Sequence, residues 1–170
     1  MNEAVGLEEI ESVIDTCLKT LYEKDELLFS LNDGRGICER ALVFRFAHYL
    51  QNEIDKKIPG YIVDCDYNSS VYVDPDGNLG ARRQGKPIQN GGRETKRFID
   101  IIVHNRGADN LFCIEVKKWN NYRKEDRKKD ENNLKELTRT YGYKYGFHLI
   151  LGEKEEKTRI TVYRAWGSDD

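Results

Sequence analysis

No apolar run in the sequence approaches the roughly 20 residues that a bilayer-crossing helix needs, which argues against a helical membrane span. The opening stretch, MNEAVGLEEIESVID, is acidic and lacks the basic-then-apolar layout of a secretory signal. The expected location is the cytoplasm, with no membrane partner. Closely spaced metal-binding thiols are also missing. The four cysteines (Cys17, Cys38, Cys65, Cys113) stand far apart with no CxxC pair. Three of them sit inside apolar patterns, as buried thiols usually do, and a zinc site needs tighter ligand spacing. The three histidines, His48, His104 and His148, are equally scattered.

A dominant charge of one sign is absent too. The formal net charge is -2, which argues against binding nucleic acid by bulk electrostatics alone. The charge is nonetheless uneven: the first thirty or so residues are acidic, whereas Arg82 to Arg97 and Lys117 to Lys129 are rich in Lys and Arg. What remains is a strongly charged chain of 170 residues with recurrent apolar runs. Such a chain folds as a single globular domain with a respectable core.

From about Glu8 to Phe29 apolar residues recur at helical spacing through Val13, Ile14, Cys17, Leu18 and Leu21. SLNDGRG breaks the pattern, and a second helix is expected from about Ile37 to Lys56, ending before Pro59-Gly60. Tyr61 to Tyr67 reads as a strand, with Ser70 to Val73 as a continuation or partner. Residues 74–96 are glycine-rich and polar, which reads as a long loop. Two strands follow, Arg97 to His104 and Leu111 to Lys117, joined by NRGADN. A helix of roughly Arg127 to Thr140 and strands Tyr145 to Leu151 and Arg159 to Arg164 complete an α/β sandwich on a mixed sheet.

The chemistry is expected in the central hairpin. With its turn centred near Gly107 and Ala108, Asp100 lies opposite Glu115, and opposite residues point to the same face with Cβ atoms about 4.5–5.5 Å apart. Strand alternation adds Lys117 to that face. Ile99, Ile101, Ile114 and Val116 are apolar and are expected to form the other face, which makes the hairpin central. Two facing carboxylates repel unless something neutralises them. A divalent cation does so, and carboxylate oxygens are the ligands Mg²⁺ takes, with the Val116 carbonyl as a further donor. Lys117 would then orient or deprotonate the attacking water and stabilise charge developing on a phosphate. The bland alternative is a solvated strand face with a cross-strand salt bridge.

Ile99-Asp100, fourteen intervening residues and then Glu115-Val116-Lys117 resemble the PD-(D/E)XK, or restriction-endonuclease-like, nuclease superfamily. The wider run RFIDIIVHNRG followed by NLFCIEVKK is similar to bacterial members that read R-P-D-I-I-V-H-x-R-G and then I-E-x-K-K. The proline is replaced by Ile99, whose side chain position has no metal or proton role. The resemblance spans about Glu39 to Leu151. It implies a restriction-endonuclease-like core, Mg²⁺-dependent phosphodiester hydrolysis with Mn²⁺ as a possible substitute, and DNA as substrate ahead of RNA. It also leaves room for a homodimer or a loading partner. An acidic residue on the first core helix approaches the metal in such proteins. Glu39 is the candidate here, on the face of Val43, Phe46 and Leu50; its alternative role is a helix-start carboxylate favoured by the macrodipole.

Other candidates are weaker. Lys135 could contact phosphate or simply face solvent. His104 could border the site or end a strand, and Asp66 is a further acidic neighbour. Lys118, Trp119, Tyr122, Arg123, Lys124, Arg127 and Lys128 mix aromatic and basic groups, which suits a nucleic-acid strand as well as a solvated loop. Arg82, Arg83, Lys86 and Arg93 invite the same reading. A non-catalytic module that binds nucleic acid or protein is the rival function.

Overall fold

The computed structural model describes residues 5–30, 39–65, 69–73, 79–83, 86–90, 93–106, 109–121 and 124–164, some by backbone alone. Helix α1 (Leu7–Lys24) is followed by a short α2 (Leu27–Ser30) and then α3 (Glu39–Lys57). The apolar positions expected of a one-faced helix are buried in α1, from Ile10 through Leu21. Glu8 and Glu9 occupy its first turn and Lys24 its last, which suits the helix dipole. The helix stops five residues short of the sequence expectation. Asp25 leaves helical geometry there and accepts hydrogen bonds from Arg45 Nε at 3.0 Å and Tyr49 Oη at 2.7 Å, both on α3. Gly60, at φ 97°, turns the chain after α3 into the sheet.

Strands β1 (Ile62–Cys65), β6 (Ile101–His104), β7 (Asn110–Lys118), β8 (Tyr145–Leu151) and β9 (Arg159–Arg164) form one sheet in the order β1-β6-β7-β8-β9. The β7–β8 pair is parallel and the others are antiparallel, so the expected mixed sheet is present. Parallel neighbours need a crossover, and α4 (Lys124–Tyr141) lies between them in the chain. One face of the sheet buries Ile101, Val103, Phe112, Ile114 and Val116 against α1 and α3. The other buries Ile102 and Cys113 with Leu134 and Leu137 of α4. Each fully buried Leu, Ile or Phe contributes about 1.5–3 kcal/mol, so both helix layers are held by burial.

The segment read from sequence as a long loop differs from that expectation. β2 (Ser69–Val73), expected as a strand, pairs with β3 (Leu79–Arg83) inside that segment, and β4 (Lys86–Asn90) pairs with β5 (Arg93–Arg97). Each ladder has two strands and stands outside the main sheet, so most of its residues need no apolar alternation to mark them. The second hairpin is anchored by buried Ile88 and by the Tyr141 hydroxyl, which donates to the Pro87 carbonyl at 3.0 Å. Ile37, Cys38, Asp66, Tyr122, Arg123 and the turn at 107–108 lie outside the described residues.

Gly146 on β8 sets how closely α4 approaches the sheet. A Cβ there would meet Thr138 Cγ2 at 2.6 Å and Leu134 Cγ at 3.0 Å, both on buried side chains. Gly146→Ala is expected to cost about 1–3 kcal/mol by overpacking, read as a lower urea midpoint with unchanged slope. A midpoint equal to wild type would show that α4 sits less tightly than described.

Candidate active site

The register of the central hairpin agrees with the sequence expectation. Ile101 pairs with Ile114, Ile102 with Cys113 and Val103 with Phe112; a bulge then shifts His104 opposite Asn110. Extending the ladder by one step brings Asp100 opposite Glu115, but the chain bends at Asp100 and the strand begins only at Ile101. The bend also corrects the position of Ile99. Its side chain packs with Ile102 and Leu134 on the α4 face, not with Ile101 and Val116.

The early end of β6 leaves part of the β7 edge to be satisfied by side chains. Asp100 Oδ2 accepts a hydrogen bond from the Val116 N–H at 2.8 Å. Glu39 Oε2, from the first turn of α3, accepts one from the Lys118 N–H at 3.2 Å. Residues two apart on a strand direct their N–H groups to the same edge. Two carboxylates from different elements therefore cap adjacent donors along one strand edge. Glu115 and Lys117, on alternate positions of β7, form an ion pair with Nζ 2.7 Å from Oε1, the two side chains 20% and 23% exposed.

Burial raises the Glu115 carboxyl to about 7, and repulsion from Asp100 adds to the effect, although Lys117 pulls the other way. For Lys117, burial would lower the pKa, but attraction to Glu115, Asp100 and Glu39 outweighs it and the ammonium form is favoured beyond its ordinary range. In this arrangement Lys117 holds its proton and presents an ammonium beside the two carboxylates.

Glu115 also forms part of a cleft of about 230 Å³ between α4 and the end of β5, with Lys96 and Phe98 on one side and Asp130 and Asn133 on the other. Sequence reasoning missed these four. Asp130 lies one helical turn before Leu134 and two before Leu137, so the helical period could have placed it on the sheet-facing side. Lys96 and Phe98 could not be placed without the β4–β5 hairpin. Among the described residues, no three His, Cys, Asp or Glu side chains gather within reach of one metal ion. Glu39 caps the Lys118 N–H, and Asp100, which caps the Val116 N–H, lies close enough to Glu115 to repel its carboxylate.

The remaining candidates scatter. Lys118 is only 3% exposed, with Nζ 5.2 Å from the centre of the Trp119 ring. Trp119 begins a short 3-10 turn and stacks toward Phe29 at 6.3 Å, against the core on the α1 side. The sequence suggested both residues for nucleic acid; in the fold they pack against each other and toward the core. Lys135 is exposed with its ammonium 5.1 Å from the Tyr163 ring centre on β9. Arg93 opens β5 opposite Asn90; its side chain, like those of Arg82, Arg83, Lys86, Lys124 and Arg127, is not described. His104 lies at the far end of β6, where its Nε2 is 2.9 Å from Asp64 Oδ2 and Arg106 completes the cluster.

No family model and no curated protein matches the chain. A solved structure described as "Crystal structure of SSO0001" is similar at a TM-score of 0.39 and 12% identity, over 90% of this chain. The chain spans 66% of that structure's length. A likeness at this level carries no argument about function. Among the described residues, no helix is long and apolar enough to cross a membrane.

The raised Glu115 pKa has a definite sign. A carboxyl that holds its proton more tightly folded than unfolded makes the fold less stable as pH rises from its ordinary value of 4.5 to about 7. Lys117 does not offset this slope, since its own shift acts only at high pH. Wild type is expected to lose about 1–3 kcal/mol more than Glu115→Gln between about pH 5 and pH 8, measured by urea unfolding. Parallel pH profiles for the two proteins would remove Glu115 as the source.

Proposed function

We propose that this chain is a divalent-metal-dependent nuclease with a restriction-endonuclease-like core, acting on DNA ahead of RNA. The observation that carries the proposal is Asp100 set near a partly buried Glu115 whose carboxyl pKa is raised to about 7, beside the Lys117 ammonium. Buried like charges are costly, and this pair is set where the β7 edge is no longer covered by β6.

The donor set fits Mg²⁺ or Mn²⁺. Mg²⁺ is usually held by one or two carboxylates with water completing its shell, so Asp100 and Glu115 suffice, with the Val116 carbonyl directed to the same strand edge as its N–H. When bound, the cation supplies Lewis acidity toward a phosphoryl oxygen and lowers the pKa of water. Lys117 donates hydrogen bonds to the attacking water or to the phosphate and stabilises the charge that develops there. Glu39 fixes the end of β7 by capping the Lys118 N–H, which holds Lys117 in place. Asp130 adds negative potential beside Glu115 and contributes to the rise of its pKa.

A non-catalytic binding module is favoured by one observation: Asp100, Glu115 and Glu39 all have partners within the fold. Cleavage assays separate the readings. Labelled single- and double-stranded DNA, and RNA, are incubated with Mg²⁺, Mn²⁺ or EDTA. Metal-dependent cutting is expected in the wild type, and Lys117→Ala is expected to lose at least about 100-fold in rate with an unchanged circular dichroism spectrum. Cutting by Lys117→Ala at the wild-type rate would overturn the assignment.

A further inference from the structure

The cleft beside Glu115 has features that metal binding and proton transfer do not use. Phe98 lines it yet is 50% exposed, an uncommon placement for a large aromatic two residues before a proposed catalytic carboxylate. Lys96 lies two positions earlier on the same extended stretch and lines the same cleft. Across from them α4 contributes Asp130 and Asn133, with Leu134 and Leu137 as an apolar floor. At about 230 Å³ the cleft falls below the ~300–1,000 Å³ typical of sites that enclose drug-sized ligands. It suits a single flat ring system that enters by one edge.

We infer that this cleft seats one unpaired nucleobase next to the scissile phosphate, stacked on Phe98, with Lys96 at its rim contacting the adjoining backbone phosphate. The inference rests on the nuclease reading and deepens it by assigning the substrate class: a nucleic-acid strand that is single-stranded, or splayed open, at the cut. An aromatic platform accepts any base because every base offers a π-face. A base inside a duplex is already stacked and paired, so it must be unstacked before it can enter. Glu115 is shared by the cleft and the proposed metal-binding pair, so a base held there brings its own phosphate toward Glu115. The fixed scaffold also favours such a role, since Ile88 and the Tyr141–Pro87 hydrogen bond hold the β4–β5 hairpin against α4.

The test separates binding from cutting. Affinities for a fluorescent single-stranded oligodeoxynucleotide and for its blunt duplex are measured in EDTA by anisotropy, for wild type, Phe98→Ala and Phe98→Trp. Wild type is expected to favour the single strand. Phe98→Ala should weaken single-strand binding roughly 5- to 150-fold, the range that loss of one base stack implies, with little effect on duplex, and Phe98→Trp should restore it. Equal single-strand affinities for wild type and Phe98→Ala, or an equal loss on duplex, would overturn the inference. The same proteins are then assayed with Mg²⁺. If wild type does not cut but its single-strand binding depends on Phe98, the base seat stands and the nuclease reading fails. If wild type cuts single strands and Phe98→Ala does so with an unchanged KM, the base seat fails and the nuclease reading stands.

Discussion

The organisation of the site depends on the placement of two carboxylates against each other at the point where β6 stops covering β7. Had β6 continued one residue further as a regular strand, backbone groups would have taken the β7 edge and Asp100 would be an ordinary cross-strand neighbour. Instead the bend at Asp100 turns Ile99 toward α4 and gives the Val116 N–H a carboxylate partner. Glu115 remains beneath α4, partly desolvated and repelled by Asp100. The ion pair with Lys117 offsets only part of that cost. On the proposed reading a cation would relieve this repulsion, which a solvated salt-bridged strand face would not need.

The rest of the fold keeps this arrangement in place. The two apolar faces of the sheet fix β7 between helix layers, and α4 approaches the sheet closely at Gly146. Glu39 joins α3 to the end of β7. The hydrogen-bonded cluster of Asp25, Arg45 and Tyr49 ties the end of α1 to α3 and so steadies the helix that carries Glu39. Charge at one strand junction is thus tied to packing across the domain.

The central hairpin was legible in the sequence because its information is local. Period-two alternation and a short connection set the register that brings Asp100 to Glu115, and the strands at Tyr145–Leu151 and Arg159–Arg164 stood out for the same reason. Strands β3, β4 and β5 were missed within the segment read as a loop, since these strands pair only within two-stranded ladders outside the main sheet. The roles of Glu39, Lys118 and Trp119 were also hidden. Which donors a carboxylate caps depends on where a distant strand ends, and the Trp119 ring turns toward Phe29, ninety positions earlier in the chain. Neither contact leaves a periodic trace.

The most direct measurement of the central claim is isothermal titration calorimetry of the full chain with Mn²⁺ or Mg²⁺, wild type against Asp100→Asn, above and below the Glu115 pKa. The account requires uptake by the wild type that strengthens as pH rises through about 7 and is lost in Asp100→Asn. Uptake that is absent from the wild type, or the same in both proteins, would contradict it and leave the Asp100–Glu115 pair as a purely structural feature.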